Sequence, residues 1–97
     1  MVMKALNLKG AIQLYEILEP YLDEIEGSTI LLELALKILH ESTANGDGAY
    51  ARSLALLTGH SLEELSEFSA DYNMGLFVDG LKINDIYGIK VLCESLQ

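Results

Sequence analysis

The stretch "LALLTGHSLEELSEFSADYN", Leu54 to Asn73, decides how this chain is read. An apolar run at helical spacing reaches Thr58, where Gly59 supplies a terminating residue. Ser61, with Glu64 three positions later, forms a capping box that opens a short helix, "LEELSEF". A further helix starts at Ser69. The same stretch matches a helix-turn-helix at Ala55, Gly59 and Leu65, but any tight pair of packed helices selects a small residue, a turn glycine and an apolar anchor there. A DNA reader must also place donors and cations on its second helix. This one offers Glu63, Glu64, Glu67 and then Asp71, with only Arg52 and His60 nearby.

Composition points the same way. Fifteen acidic residues against six basic ones give a net charge of -9, which repels phosphate backbones and anionic lipid surfaces. Neither nucleic acid nor membrane is an expected partner. With 97 residues, 51% of them apolar, and no low-complexity segment, the chain reads as one domain over residues 1–97. Cys93 is the single cysteine and has no internal disulfide partner. No charged leader precedes an apolar run, and no run approaches the ~20 residues that cross a bilayer, so a cytoplasmic location is expected.

Working outward from the opening stretch, the spacing predicts helices on both sides. Ala11 to Glu26 places Ala11, Leu14, Tyr15, Leu18, Tyr21, Leu22 and Ile25 on one side, with carboxylates opposite. Pro20 falls on the polar side, where it predicts either a kink or a fresh first turn. In "STILLELALKILHE", Ser28 to Glu41, the polar stripe is only Glu33, Lys37, His40 and Glu41, so most of the circumference is apolar. Ser28 or Thr29 is the expected cap, and Glu33 stands four before Lys37 in ion-pair register. "STANGDG", Ser42 to Gly48, is a turn, after which Asp47 caps a third helix. The helix from Ser69 carries Tyr72, Leu76, Phe77 and Leu81, and Gly80 with Asn84 or Asp85 marks its end. "IYGIKVLCESL" repeats Ile86, Ile89, Cys93 and Leu96 at steps of three and four, the seam of a helix lying lengthwise on another. The first nine residues are too short to assign. The expected fold is all-α, a compact bundle of five or six short to medium helices.

Chemistry-bearing patterns are absent. "NGDG" fails as a calcium loop, because counting from Asn45 the fifth residue is Ala49 and the twelfth Leu56, neither a ligand. His40, His60 and Cys93 have no zinc-like spacing, and there is no nucleophile elbow or phosphate loop. No catalytic residue, cofactor or metal is expected. What the sequence offers instead is a surplus of apolar side chains, predicting self-association or a hydrophobic protein partner through Leu32, Leu36 and Leu39 on the second helix and Ile86, Ile89, Cys93 and Leu96 on the last. The competing explanation is that the second helix is simply central in the bundle.

Two segments, "LNLKGAIQLYEILEPYLDEI" and "ARSLALLTGHSLEELSEFSADYNMGLFVDGLKINDIYGIKVLCESL", resemble the small tail assembly chaperones of long-tailed bacteriophages and prophages. The features that carry the likeness are "LLTGHSLEEL", then "GLKIND", then an apolar closing helix. The resemblance implies a protein acting in the bacterial host cytoplasm that coats the tape-measure protein, a long, partly apolar helical chain, until tail-tube subunits polymerise around it. It also implies that a frameshifted, elongated form is made in many such phages. A different class of binder is consistent with the same charge: a small acidic immunity or inhibitor protein that neutralises a basic partner domain through Glu63, Glu64 and Glu67.

Overall fold

Asn7 starts the first helix: its carbonyl accepts from the Ala11 N–H and its side chain from the Gly10 N–H, both at 2.8 Å. The computed structural model describes residues 5–22 and 30–96. Six helices follow in order: α1 (Leu8–Leu22), α2 (Leu31–Asn45), α3 (Ala49–Thr58), α4 (Leu62–Ser66), α5 (Ala70–Ile83) and α6 (Ile86–Ser95). No strand occurs among the described residues. The chain is an all-α bundle.

Local chemistry sets most of the helix ends. Gly59 closes α3 at φ 75°, a conformation that only glycine adopts freely, and its N–H returns to the Ala55 carbonyl. Ser61 and Glu64 exchange side-chain and backbone hydrogen bonds at 3.1 Å, so the capping box forms as expected. Ser69 caps α5 and the Asp85 side chain caps α6. Pro20 lies exposed inside the last turn of α1, which runs through it rather than restarting there. The cap expected at Ser28 or Thr29 lies outside the described residues, as does the stretch beyond Leu22 that was expected to prolong α1. Glu33 and Lys37 do not pair: the described ion pairs are His60–Glu64 at 3.3 Å and Lys90–Glu94 at 2.9 Å.

Packing is organised around α3, which lies against α1, α2, α4 and α5, while α6 rests chiefly on α1. The core joins Leu14, Leu18 and Leu22 of α1 to Leu34 and Ile38 of α2, Leu54 and Leu57 of α3, Phe77 and Leu81 of α5, and Ile86 of α6. Gly80 does not mark a junction as its residue type suggested. It sits inside α5, buried, where a Cβ would come within 2.9 Å of a Leu57 methyl, so the glycine is what lets α5 approach α3. The radius of gyration is 12.5 Å, matching the roughly 12.5 Å of a compact chain of this length.

The α2–α3 turn is tied to α1 by a polar link. The Tyr21 hydroxyl donates to Asp47 and accepts from the Asn45 amide at 3.2 Å, while the other Asp47 oxygen accepts the Ala49 N–H at 2.8 Å. Gly48, not Asp47, is the N-cap residue of α3, but the Asp47 side chain still takes up the first N–H of the helix from one position earlier and anchors α1 as well. Through the hydrogen bond from Tyr21, then that from Ala49, its carboxyl is held below the usual carboxylate range, and the same contact pushes the Tyr21 phenol up.

Candidate functional site

The residues expected to meet a partner divide into two groups. On α2, Leu34, Ala35, Ile38 and Ser42 face the core. Leu32, Leu36 and Leu39, at steps of four and three, form a separate stripe roughly a third of a turn around the helix. Leu32 is 49% exposed and Leu36 40%, with Leu39 half-buried. The α2 stripe is therefore a surface, and centrality in the bundle accounts only for the other side of the helix.

On α6 the expectation is corrected. Ile86, Ile89 and Cys93 are buried and supply the face that α6 lays against the core, so Ile86 and Ile89 present nothing to a partner in the folded chain, and Cys93 only borders a groove beside α1. Spacing of three and four marks one side of a helix; here the chain's own α1 covers it. Leu96, the fourth member, falls just past the last helical residue and is 64% exposed. Burial pushes the Cys93 thiol up, with the nearby Glu16 carboxylate adding to the effect, and a protonated thiol is a poor nucleophile.

The structure adds apolar positions that spacing did not single out. Val91 and Leu92 are exposed on α6, as are Leu8 on α1, Leu62 on α4 and Ile83 at the end of α5. Their signal was available for α6 alone, where apolar residues occupy nearly the whole circumference of a helix that has one main neighbour.

Shallow hollows open between helices among the described residues. One of about 240 Å³ lies between α1 and α6, lined by Ile12, Tyr15, Glu16, Glu19, Cys93 and Leu96. The Leu6 N–H donates to Asn84 Oδ1 at 2.7 Å, which sets the start of α1 beside the start of α6. A second, of about 260 Å³, is mostly apolar and lies among α3, α4 and α5; Asn73 reaches it, donating to the Leu65 carbonyl at 2.9 Å while its Oδ1 is buried without a partner. Another, of about 330 Å³, lies between α1 and α3 beside Arg52. Elsewhere, His60, Phe68 and Tyr72 stack edge to face at 5.3 and 5.2 Å beside exposed Glu63, Glu64, Glu67 and Asp71. Hydrogen bonds from Ser61 and His60 hold the Glu64 carboxyl below its usual range.

Among the described residues no group of three histidine, cysteine or carboxylate side chains gathers to hold a metal, and no helix is long and apolar enough to cross a membrane. No family model, curated protein or solved structure matches the chain.

Proposed function

We propose that this protein is a non-catalytic helical binder, a tail assembly chaperone that covers apolar stretches of a long helical tape-measure protein and keeps them in solution. The observation that carries the reading is the α2 stripe of Leu32, Leu36 and Leu39, an apolar row left open on a chain whose core is already complete. Anchors at i, i+4 and i+7 fit the groove-and-ridge contact between two amphipathic helices. The charge of -9 serves the same role, since a complex with surplus negative charge stays dispersed while its apolar surfaces are covered. The partner proposed is the one that the resemblance of the sequence to phage tail chaperones implies.

Co-expression tests it. A long, helix-rich protein encoded beside this one, insoluble alone, becomes soluble with the wild-type chain and stays insoluble with Leu36→Asp. An insoluble neighbour that the wild-type chain does not rescue would sink the reading. Ile86→Asp and Ile89→Asp are unsuitable probes of binding, because both side chains are buried and the variants report on folding.

A second reading, an acidic inhibitor of a basic domain, draws support from the exposed Glu63, Glu64, Glu67 and Asp71. The two differ in salt response. Burial of apolar side chains is nearly indifferent to salt, whereas a carboxylate face steers its partner at a rate that falls steeply as salt rises.

A further inference from the structure

The α1–α6 groove differs in character from the α2 stripe. Its lining combines Ile12, Tyr15, Cys93 and Leu96 with the exposed carboxylates Glu16 and Glu19. Leu92, four residues before Leu96, is exposed on the same edge of α6 and lengthens the apolar strip. Among the described residues neither Glu16 nor Glu19 forms an ion pair, and the one cation on α6, Lys90, is taken up by Glu94 at 2.9 Å. From this combination we infer that the groove is a docking site for an amphipathic helix of another protein, one whose apolar stripe is flanked by lysine or arginine.

Charge decides among the occupants. A second copy of the chain would bring another net -9 and its own glutamates against the same carboxylates. A cationic helix instead pairs its flanks with Glu16 and Glu19 while its apolar side chains cover Leu96 and Leu92. The dimensions agree: the lining on α1 runs from Ile12 to Glu19, about 10 Å, room for about two turns of a bound helix with anchors at i and i+4. Around the α2 stripe the exposed or half-exposed charges are Glu33, Lys37 and Glu41, of both signs, so that surface has no comparable preference. The two surfaces are separable by experiment.

The test uses the full chain and two fluorescently labelled helical peptides with one apolar stripe, flanked by lysine in one and glutamate in the other. Anisotropy is expected to show the lysine peptide binding at least about tenfold more tightly, by an amount that shrinks as salt is raised. Glu16→Lys combined with Glu19→Lys changes two exposed side chains and reverses the preference, with circular dichroism confirming an intact fold. Leu96→Ser weakens the lysine peptide about tenfold or more, from the loss of one apolar contact. Leu36→Asp leaves its affinity unchanged, so a failed α2 stripe and a failed groove give different results. The inference is overturned if both peptides bind equally or neither binds. It is overturned too if Leu36→Asp rather than Leu96→Ser abolishes binding, or if sedimentation shows a dimer that Leu96→Ser dissolves.

Discussion

Two glycines five residues apart on α5 should respond unequally to the same substitution, one gaining stability and the other not. Replacing glycine by alanine inside a helix restricts the unfolded chain and stabilises the fold by about 0.5–1 kcal/mol where space allows. At Gly75 a Cβ meets nothing within 4 Å, so Gly75→Ala should realise that gain. At Gly80 the new Cβ would stand 2.9 Å from Leu57 Cδ1 and 3.2 Å from Leu57 Cβ. The methyl could rotate, but the Cβ moves only with the backbone, and Leu57 is buried, so α3 and α5 must part by a few tenths of an ångström. Overpacking of this kind costs about 1–3 kcal/mol. Gly80→Ala therefore ranges from near neutral to about 2 kcal/mol destabilising, and the gap between the two variants is the overpacking cost itself, about 1–3 kcal/mol. Denaturant unfolding followed by far-UV circular dichroism reads that gap directly; in thermal unfolding it amounts to at least about 4 °C for a domain of this size. Combining Gly80→Ala with Leu57→Ala should make the second substitution's cost smaller than in the wild-type background, a coupling of about 0.5–3 kcal/mol. If Gly80→Ala stabilises as much as Gly75→Ala, the close approach of α3 and α5 is wrong.

Other perturbations report on separate parts of the structure. Tyr21→Phe should lower the melting temperature by an amount that depends on pH. Asp47 titrates below its unfolded value of about 4, so the link contributes above that pH and fades as pH falls through the depressed folded value. The Tyr21 phenol titrates above about 10, so the contribution is complete below that pH and fades as pH rises through the folded value; an effect equally large in strong acid would contradict the assigned hydrogen bond. Cys93 should react with a thiol reagent far more slowly than a free thiol at neutral pH and at full speed in denaturant, since burial both covers the sulfur and keeps it protonated. Ile86→Ala should cost about 2–5 kcal/mol, as a core truncation does. Leu36→Asp, on the open side of α2, should lie within about 0.5 kcal/mol of wild type, and the pair is compared by the same unfolding assay.

Features governed by local chemistry were legible in the sequence. Gly59, the Ser61–Glu64 box and Ser69 each act on backbone groups within a few residues, and each helix boundary they imply is found. Asn7 has the same capping chemistry as Ser61, but the segment before Ala11 is too short for periodicity to register, and its cap starts α1 three residues before the apolar spacing does. Gly80 could not be read locally at all. A glycine near the end of a helix and a glycine beneath a neighbouring leucine look alike in one dimension, and only the position of Leu57 separates them. The Tyr21–Asp47 link has the same character: spacing marks Tyr21 as a core residue and the turn marks Asp47 as a cap, while the 26-residue separation hides their contact.

The exposed apolar side chains follow from the mismatch between helix composition and helix neighbours. A chain that folds loosely leaves leucines in water everywhere, but this one reaches the radius of a well-packed domain and still fills its core with leucine, isoleucine and aromatic side chains. Its remaining apolar groups gather where an element has fewer neighbours than apolar sides. α6 is the clearest case, since Ile86, Ile89 and Cys93 satisfy its contact with α1, and Val91, Leu92 and Leu96 are left over on the rest of its surface. On α2 the leftover residues are Leu32, Leu36 and Leu39, beyond the side already occupied by α3 and α5. Polar residues at these positions would leave the core contacts untouched, because none of the six is among its buried members. Removing them should therefore change what the protein associates with while its stability stays where the core sets it, and that separation is what the Leu36 and Leu96 substitutions measure.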